Sequence, residues 1–142
     1  MKNNLKFNTF GLLLFIIVML PNILWFIFPP QNDILRNESL TPITDTIAGI
    51  FQIILVGCLC FVNKKYVKKY DLLSLICVAV YFLFWALYYC GIVNSVVIFG
   101  LCIFPCLSFI FYEIRIKNWF ALIATIIFSV LHLVYGIKNF LI

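Results

Sequence analysis

Long apolar stretches separated by short polar segments make up most of the chain. Five of them, at roughly 9–28, 44–62, 72–90, 95–112 and 119–137, match the length of a membrane-spanning helix. A helix needs about 20 mostly apolar residues to cross the hydrocarbon of a bilayer. The five stretches use most of the 142 residues. The pattern therefore predicts an all-α fold, with a single transmembrane domain over 1–142 built as one bundle of five helices.

Two polar segments predict helix boundaries. Thr41 followed by Pro42 is typical of an N-cap and the first position of a helix, here span 2. After span 3, Gly91 suits the left-handed conformation that often ends a helix, and Asn94 or Ser95 can cap the helix that follows. The segment 90–95 therefore predicts a tight, uncharged turn between spans 3 and 4.

Composition excludes several classes of protein. Hydrophobic residues make up 65% of the chain and charged residues 11%, with a mean hydropathy of +1.16. A soluble domain has about 45–50% apolar and about 25% charged residues. The chain is therefore not expected to be a soluble enzyme, a disordered tail or a nucleic-acid-binding domain. It also contains no phosphate-binding glycine loop, zinc-protease motif or nucleophile elbow. We expect no enzymatic activity, no cofactor and no metal site.

The charges predict the orientation of the bundle. Eight of the ten basic residues fall on one side if the chain crosses five times: Lys2, Lys6, Lys64, Lys65, Lys68, Lys69, Arg115 and Lys117. Short loops rich in Lys and Arg stay in the cytoplasm. We therefore predict the N-terminus inside and the C-terminus outside, and we interpret the net charge of +5 as a topology signal. Span 1 has no cleavage site after it, so we expect it to remain as a helix.

The uncharged polar residues inside the spans are the most informative ones. Asn22 and His132 lie about 20 Å from the inner end of their helices, and Trp85 about 21 Å, at about 1.5 Å per residue. Gln52 lies at about the same depth in the bilayer, although its helix runs in the opposite direction. We therefore predict a polar layer slightly outside the midplane, formed by Asn22, Gln52, Trp85 and His132. Pro21 and Pro105 adjoin this layer, and each frees a backbone carbonyl.

Helical spacing predicts which faces look inward. Span 5 is the most regular, with small or polar residues in steps of four, four, three and four: Ala121, Thr125, Ser129, His132 and Gly136. Small and hydrogen-bonding residues favour helix–helix contacts in membranes.

Two interpretations of the polar layer stay open. In one, Asn22, Gln52, Trp85 and His132 bind a small, weakly polar ligand or let it pass, which requires a cavity with His132 on its wall. In the other, they join helices together, at about 0.6 kcal/mol each. The protein would then be a structural or accessory subunit of a larger membrane complex or of a homo-oligomer, with a filled interior.

The remaining candidate chemistry has simpler explanations. His132 is the only ionisable residue expected deep in a span, and Asp45 is expected nearer the outer surface. The six cysteines are expected to pack as small apolar residues. The segment from Glu113 to Lys117 is expected to be a solvated inner turn.

A group of short motifs supports a bacterial source. Pro21-Asn22-Ile23, Pro105-Cys106, Phe128, His132 and Lys138-Asn139 resemble a group of uncharacterised small bacterial integral membrane proteins. The resemblance implies a multi-pass protein of the bacterial plasma membrane, and it implies no activity or binding residue. The expected partners are the lipid bilayer and, in the second interpretation, another copy of the chain or a membrane protein, and no nucleic acid.

Overall fold

The computed structural model describes residues 5–63 and 71–141 and contains five helices and a two-stranded ribbon within them. The elements in chain order are β1 (Leu5–Phe7), α1 (Thr9–Ile27), α2 (Pro42–Leu59), β2 (Phe61–Asn63), α3 (Leu72–Tyr89), α4 (Ser95–Arg115) and α5 (Trp119–Phe140). All five helices are long and apolar enough to cross a membrane. The prediction of an all-α five-helix bundle is confirmed, and the chain is a multi-pass membrane protein.

Polar caps explain where most helices begin. The side chain of Asp71 accepts a hydrogen bond from the Ser74 N–H, and that of Asn94 accepts one from Val97. Asn118 caps α5 in the same way. The helix α2 begins at Pro42 after Thr41, as predicted, although the Thr41 side chain makes no capping bond.

Three helices end three residues away from the predicted limits. The helix α2 ends at Leu59, before residue 62, because the chain turns into strand β2 there. Helices α4 and α5 each run three residues further than predicted, to Arg115 and Phe140. Gly91 has the predicted left-handed conformation, with φ of 83°.

Helix α4 forms the centre of the bundle, and it is the most buried of the five. It packs along α3 and α5, and α5 packs along α2, whereas α1 makes fewer contacts. Two glycines, Gly100 and Gly136, allow α4 to approach α3 and α5 closely. A Cβ atom added to Gly100 would lie 2.5 Å from the ring of Phe84 on α3, and one added to Gly136 would lie 2.6 Å from Cys102 Sγ.

Large apolar side chains cover the outside of the bundle. Phe120 is 81% exposed, and Ile53 and Ile43 are also largely exposed. Such a surface is favourable in hydrocarbon and unfavourable in water. The four inward positions of α5 other than His132 are buried, which confirms the predicted inner face of that helix: Ala121, Thr125, Ser129 and Gly136.

The end of the bundle that holds the start of α1 is called the lower end here, and the opposite end the upper end. At the lower end, β1 pairs antiparallel with β2. Asn8 joins three elements there, since its amide donates to the Leu59 carbonyl at 3.1 Å and its oxygen accepts from the Tyr112 hydroxyl at 3.1 Å. The lysines of 64–69, on which the predicted orientation largely rests, lie outside the described residues.

The expectation of a solvated turn from Glu113 to Lys117 is wrong for Glu113. This residue belongs to α4 and its side chain is 0% exposed. The Thr125 hydroxyl of α5 donates to Glu113 Oε1 at 2.7 Å, and Oε2 has no hydrogen-bond partner among the described residues. Helix α4 continues to Arg115 and therefore carries the carboxyl group inside the bundle.

Candidate functional site

A cavity of about 420 Å³ lies in the upper half of the bundle. All five helices contribute to its wall, and Leu35 of the loop between α1 and α2 adds to it at the upper end. The helices α1 and α2 approach closely at the lower end, where Gly11 lies against the backbone of Leu59. They make few contacts elsewhere. The cavity fills the space above this close approach.

The structure brings the four residues of the predicted polar layer to this one cavity. Asn22 of α1, Gln52 of α2, Trp85 of α3 and His132 of α5 all line it. Pro105 of α4 also lines it, whereas Pro21 is buried in α1 away from the cavity wall.

Asn22 is held in place by two hydrogen bonds. Its amide nitrogen donates to the Tyr81 hydroxyl at 2.8 Å and to the Val18 carbonyl at 3.3 Å. Tyr81 also lines the cavity. The Asn22 carbonyl oxygen has no partner within the described part of the chain, so it remains available as an acceptor.

Gln52 and Trp85 have unused donors. The Gln52 amide makes one weak contact, with Met19 Sδ at 3.6 Å. The indole N–H of Trp85 is buried and has no hydrogen-bond partner in the described residues. A buried polar group without a partner costs about 1–3 kcal/mol. Both side chains would therefore gain from a polar group in the cavity.

His132 lies between two aromatic rings. Its imidazole stacks on Phe128 at 5.2 Å and on Tyr135 at 6.2 Å, with interplanar angles of 14° and 15°. No side chain in 5–63 or 71–141 hydrogen-bonds to it. Stacking fixes the plane of the ring and leaves its nitrogens free, so it can both donate and accept a hydrogen bond in its neutral form.

Asp45 also reaches the cavity, although the sequence indicated only a position near the outer surface. It lines the cavity from the first turn of α2 and is half-buried. The Thr41 hydroxyl donates to Asp45 Oδ1 at 3.1 Å. Asn139 near the end of α5 donates to the Thr41 oxygen at 3.0 Å. These two bonds fix the upper ends of α2 and α5 around the carboxylate.

The loop between α1 and α2 is organised by Asp33, which the sequence did not indicate. The Tyr88 hydroxyl donates to its carboxylate at 2.7 Å, the Trp25 indole at 2.9 Å and the Leu35 N–H at 3.1 Å. Arg36 forms an ion pair with it at 3.2 Å. This set of contacts holds Leu35 over the upper end of the cavity. Tyr88 lies 55 residues from Asp33, so no local motif could have found this contact.

The cysteines have no arrangement that suggests chemistry. All six are free thiols. Burial raises the pKa of the Cys60 thiol, which lies just beyond α2 at the lower end. Among the residues that the structure describes, no three histidine, cysteine or acidic side chains come together as a metal site would need.

Comparison with family models, curated proteins and solved structures finds no match for this chain.

Proposed function

We propose that this multi-pass membrane protein binds a small, weakly polar ligand in the cavity lined by Asn22, Gln52, Trp85 and His132. We also propose that it lies in the plasma membrane of a bacterium, with its N-terminus inside and its C-terminus outside.

One observation carries this proposal. Polar side chains from four different helices line a single cavity and leave hydrogen-bonding groups unused. Side chains that only join helices would bond to each other, because unpaired polar groups are costly away from water. Here only Asn22 makes a strong bond to another helix, through Tyr81. The alternative of a structural subunit predicts a filled interior with His132 bonded to a neighbour, and the observed packing does not favour it.

The size and lining of the cavity support a compact aromatic or amphipathic ligand. Ligand sites are commonly clefts of about 300–1,000 Å³ with mostly apolar walls and a few polar groups. The cavity of about 420 Å³ lies within this range. Its aromatic side chains would contact the body of the ligand, while the amides and the imidazole would bind its polar group.

The test uses the neutral aromatic amine N-phenyl-1-naphthylamine and the protein in lipid nanodiscs. Energy transfer from Trp25 and Trp85, which line the cavity, reports probe that enters it. We expect saturable binding to the wild type. We expect binding to weaken about fivefold in Asn22→Ala and in His132→Ala, because one hydrogen bond contributes about 1 kcal/mol.

Matched controls lie on the lipid-facing surface of the same two helices. Ile23 is 50% exposed and Ile126 is 47% exposed. Ile23→Ala and Ile126→Ala should bind the probe as the wild type does. The proposal is wrong if the wild type shows no saturable binding, or if all four variants bind alike. Equal loss of folded protein in both cavity variants would indicate a structural role instead.

A further inference from the structure

The described residues that line the cavity carry formal charge of one sign only. Among the residues that the structure describes, Asp45 is the only acidic one that lines the cavity, and no lysine or arginine lines it. We take His132 as neutral when we assign formal charges at pH 7. The wall therefore carries one formal negative charge and no formal positive one.

No side chain neutralises this charge in the described part of the chain. Arg36 is the cation of the upper loop, and it pairs with Asp33. Lys138, near the end of α5, is exposed and forms no ion pair with Asp45 within the described residues. The Thr41 hydroxyl is the one side chain that donates to Asp45 there. The positive end of the helix dipole at the first turn of α2 stabilises the carboxylate in part. Asp45 is half-buried, so a cation beside it in the cavity would be attracted more strongly than it would be in bulk water.

Aromatic rings surround the rest of the cavity. Trp25, Tyr81, Trp85, Phe128 and Tyr135 all line it. The faces of such rings attract cations, most strongly where water is excluded. The Arg36 guanidinium already lies 5.3 Å from the centre of the Trp25 ring, at the upper end.

We propose that the ligand is a small organic cation with an apolar body, which places its ammonium group at Asp45 and its body between the rings. This inference rests on the proposed function and names the chemical class of the ligand. An inorganic cation fits the wall poorly. Ca²⁺ takes about six to eight oxygen ligands, whereas the described part of the wall offers three carboxylate and amide side chains, those of Asp45, Asn22 and Gln52.

The test compares two probes of the same shape and different charge. Benzyltrimethylammonium is a cation, and neopentylbenzene is its neutral counterpart. The saturable change in tryptophan fluorescence above that of empty nanodiscs is measured for both. We expect Asp45→Asn to weaken binding of the cation at least about tenfold, or about 1.4 kcal/mol. We expect its effect on the neutral probe to stay within twofold.

Glu38 provides the matched control. It is an exposed acid in the loop between α1 and α2, so Glu38→Gln changes the net charge of the upper end by the same amount. This variant should bind both probes as the wild type does. If it weakens cation binding as much as Asp45→Asn does, the effect comes from the overall charge and the inference is wrong.

The other outcomes separate this inference from the proposed function. If the neutral probe binds saturably and the cation does not, the cavity is a ligand site and the cationic ligand is wrong. The same conclusion follows if Asp45→Asn changes neither probe or weakens both equally. If neither probe binds, the proposal of a cationic ligand is wrong, and binding of N-phenyl-1-naphthylamine still decides the proposed function. If Asp45→Asn does not fold, the wild type provides the test. Benzyltrimethylammonium must displace N-phenyl-1-naphthylamine from the wild type, and failure to do so overturns the inference.

Discussion

Removing the carboxylate of Asp33 should loosen the whole upper end of the protein. This side chain is 8% exposed, and it accepts hydrogen bonds from Trp25, Leu35 and Tyr88. It also forms the ion pair with Arg36. The substitution Asp33→Ala deletes all four contacts. It leaves the Trp25 indole and the fully buried Tyr88 hydroxyl without their acceptor.

The magnitude follows from these contacts. A hydrogen bond to a charged group contributes about 1.5–3 kcal/mol. The Arg36 side chain is 44% exposed, so its ion pair contributes only about 0–1 kcal/mol. Contacts that share one carboxylate do not add fully. We therefore expect Asp33→Ala to cost at least as much as one such hydrogen bond, about 1.5–3 kcal/mol.

The assay is unfolding of the purified protein by SDS from a mild detergent, followed by circular dichroism. Glu38→Ala removes an exposed acid from the same loop and should change the free energy of unfolding by less than about 0.5 kcal/mol. Asp33→Ala should also let Leu35 move and so speed probe entry to the cavity. If Asp33→Ala is as stable as Glu38→Ala, the central role of Asp33 in this loop is refuted.

Two further predictions concern the lower end and the topology. Thr125→Val should cost about 1–3 kcal/mol because it leaves Glu113 Oε1 without its donor, and adding Glu113→Leu should restore most of the loss. SDS unfolding of the three variants measures this coupling, and additive effects would refute it. Cys90 is exposed between α3 and α4, so a membrane-impermeant maleimide should label it in intact cells, whereas Cys90→Ser should not be labelled. Buried Cys60 should react slowly, since its thiol has a raised pKa. Labelling only after permeabilisation would reverse the predicted orientation.

The sequence predicts the spans and the cavity residues for a simple physical reason. Hydrophobic stretches of the right length define each helix without any long-range contact. Asn22, Gln52, Trp85 and His132 are uncharged polar side chains at a common depth, and a bundle buries such groups on its inner faces. Asp45 differs, because its place in the first helical turn indicated the surface and did not show that its carboxylate faces inward.

Other features depend on contacts between distant segments. Glu113 is followed by Arg115 and Lys117, and this charge pattern suggests solvent. Its burial arises because α4 continues past it and Thr125 of α5 meets its carboxyl group. The helical spacing does contain one indication that Glu113 is buried. It continues a buried face of α4 whose residues recur in steps of four, three and four: Cys102, Cys106, Phe109 and Glu113. The β1–β2 ribbon has three-residue strands that are more than fifty residues apart, too short for any periodic pattern.

The most direct test of ligand binding fills the cavity. Gly49 lines it, and a Cβ atom added there meets nothing within 4 Å, so Gly49→Leu places a side chain in the cavity without a backbone clash. Gly57 on the same helix is equally open and lies outside the cavity wall, so Gly57→Leu is the matched control. Both changes raise helix propensity alike, by about 1 kcal/mol. The account predicts that Gly49→Leu weakens binding of N-phenyl-1-naphthylamine at least about tenfold and that Gly57→Leu does not. Equal binding by the two variants would contradict it.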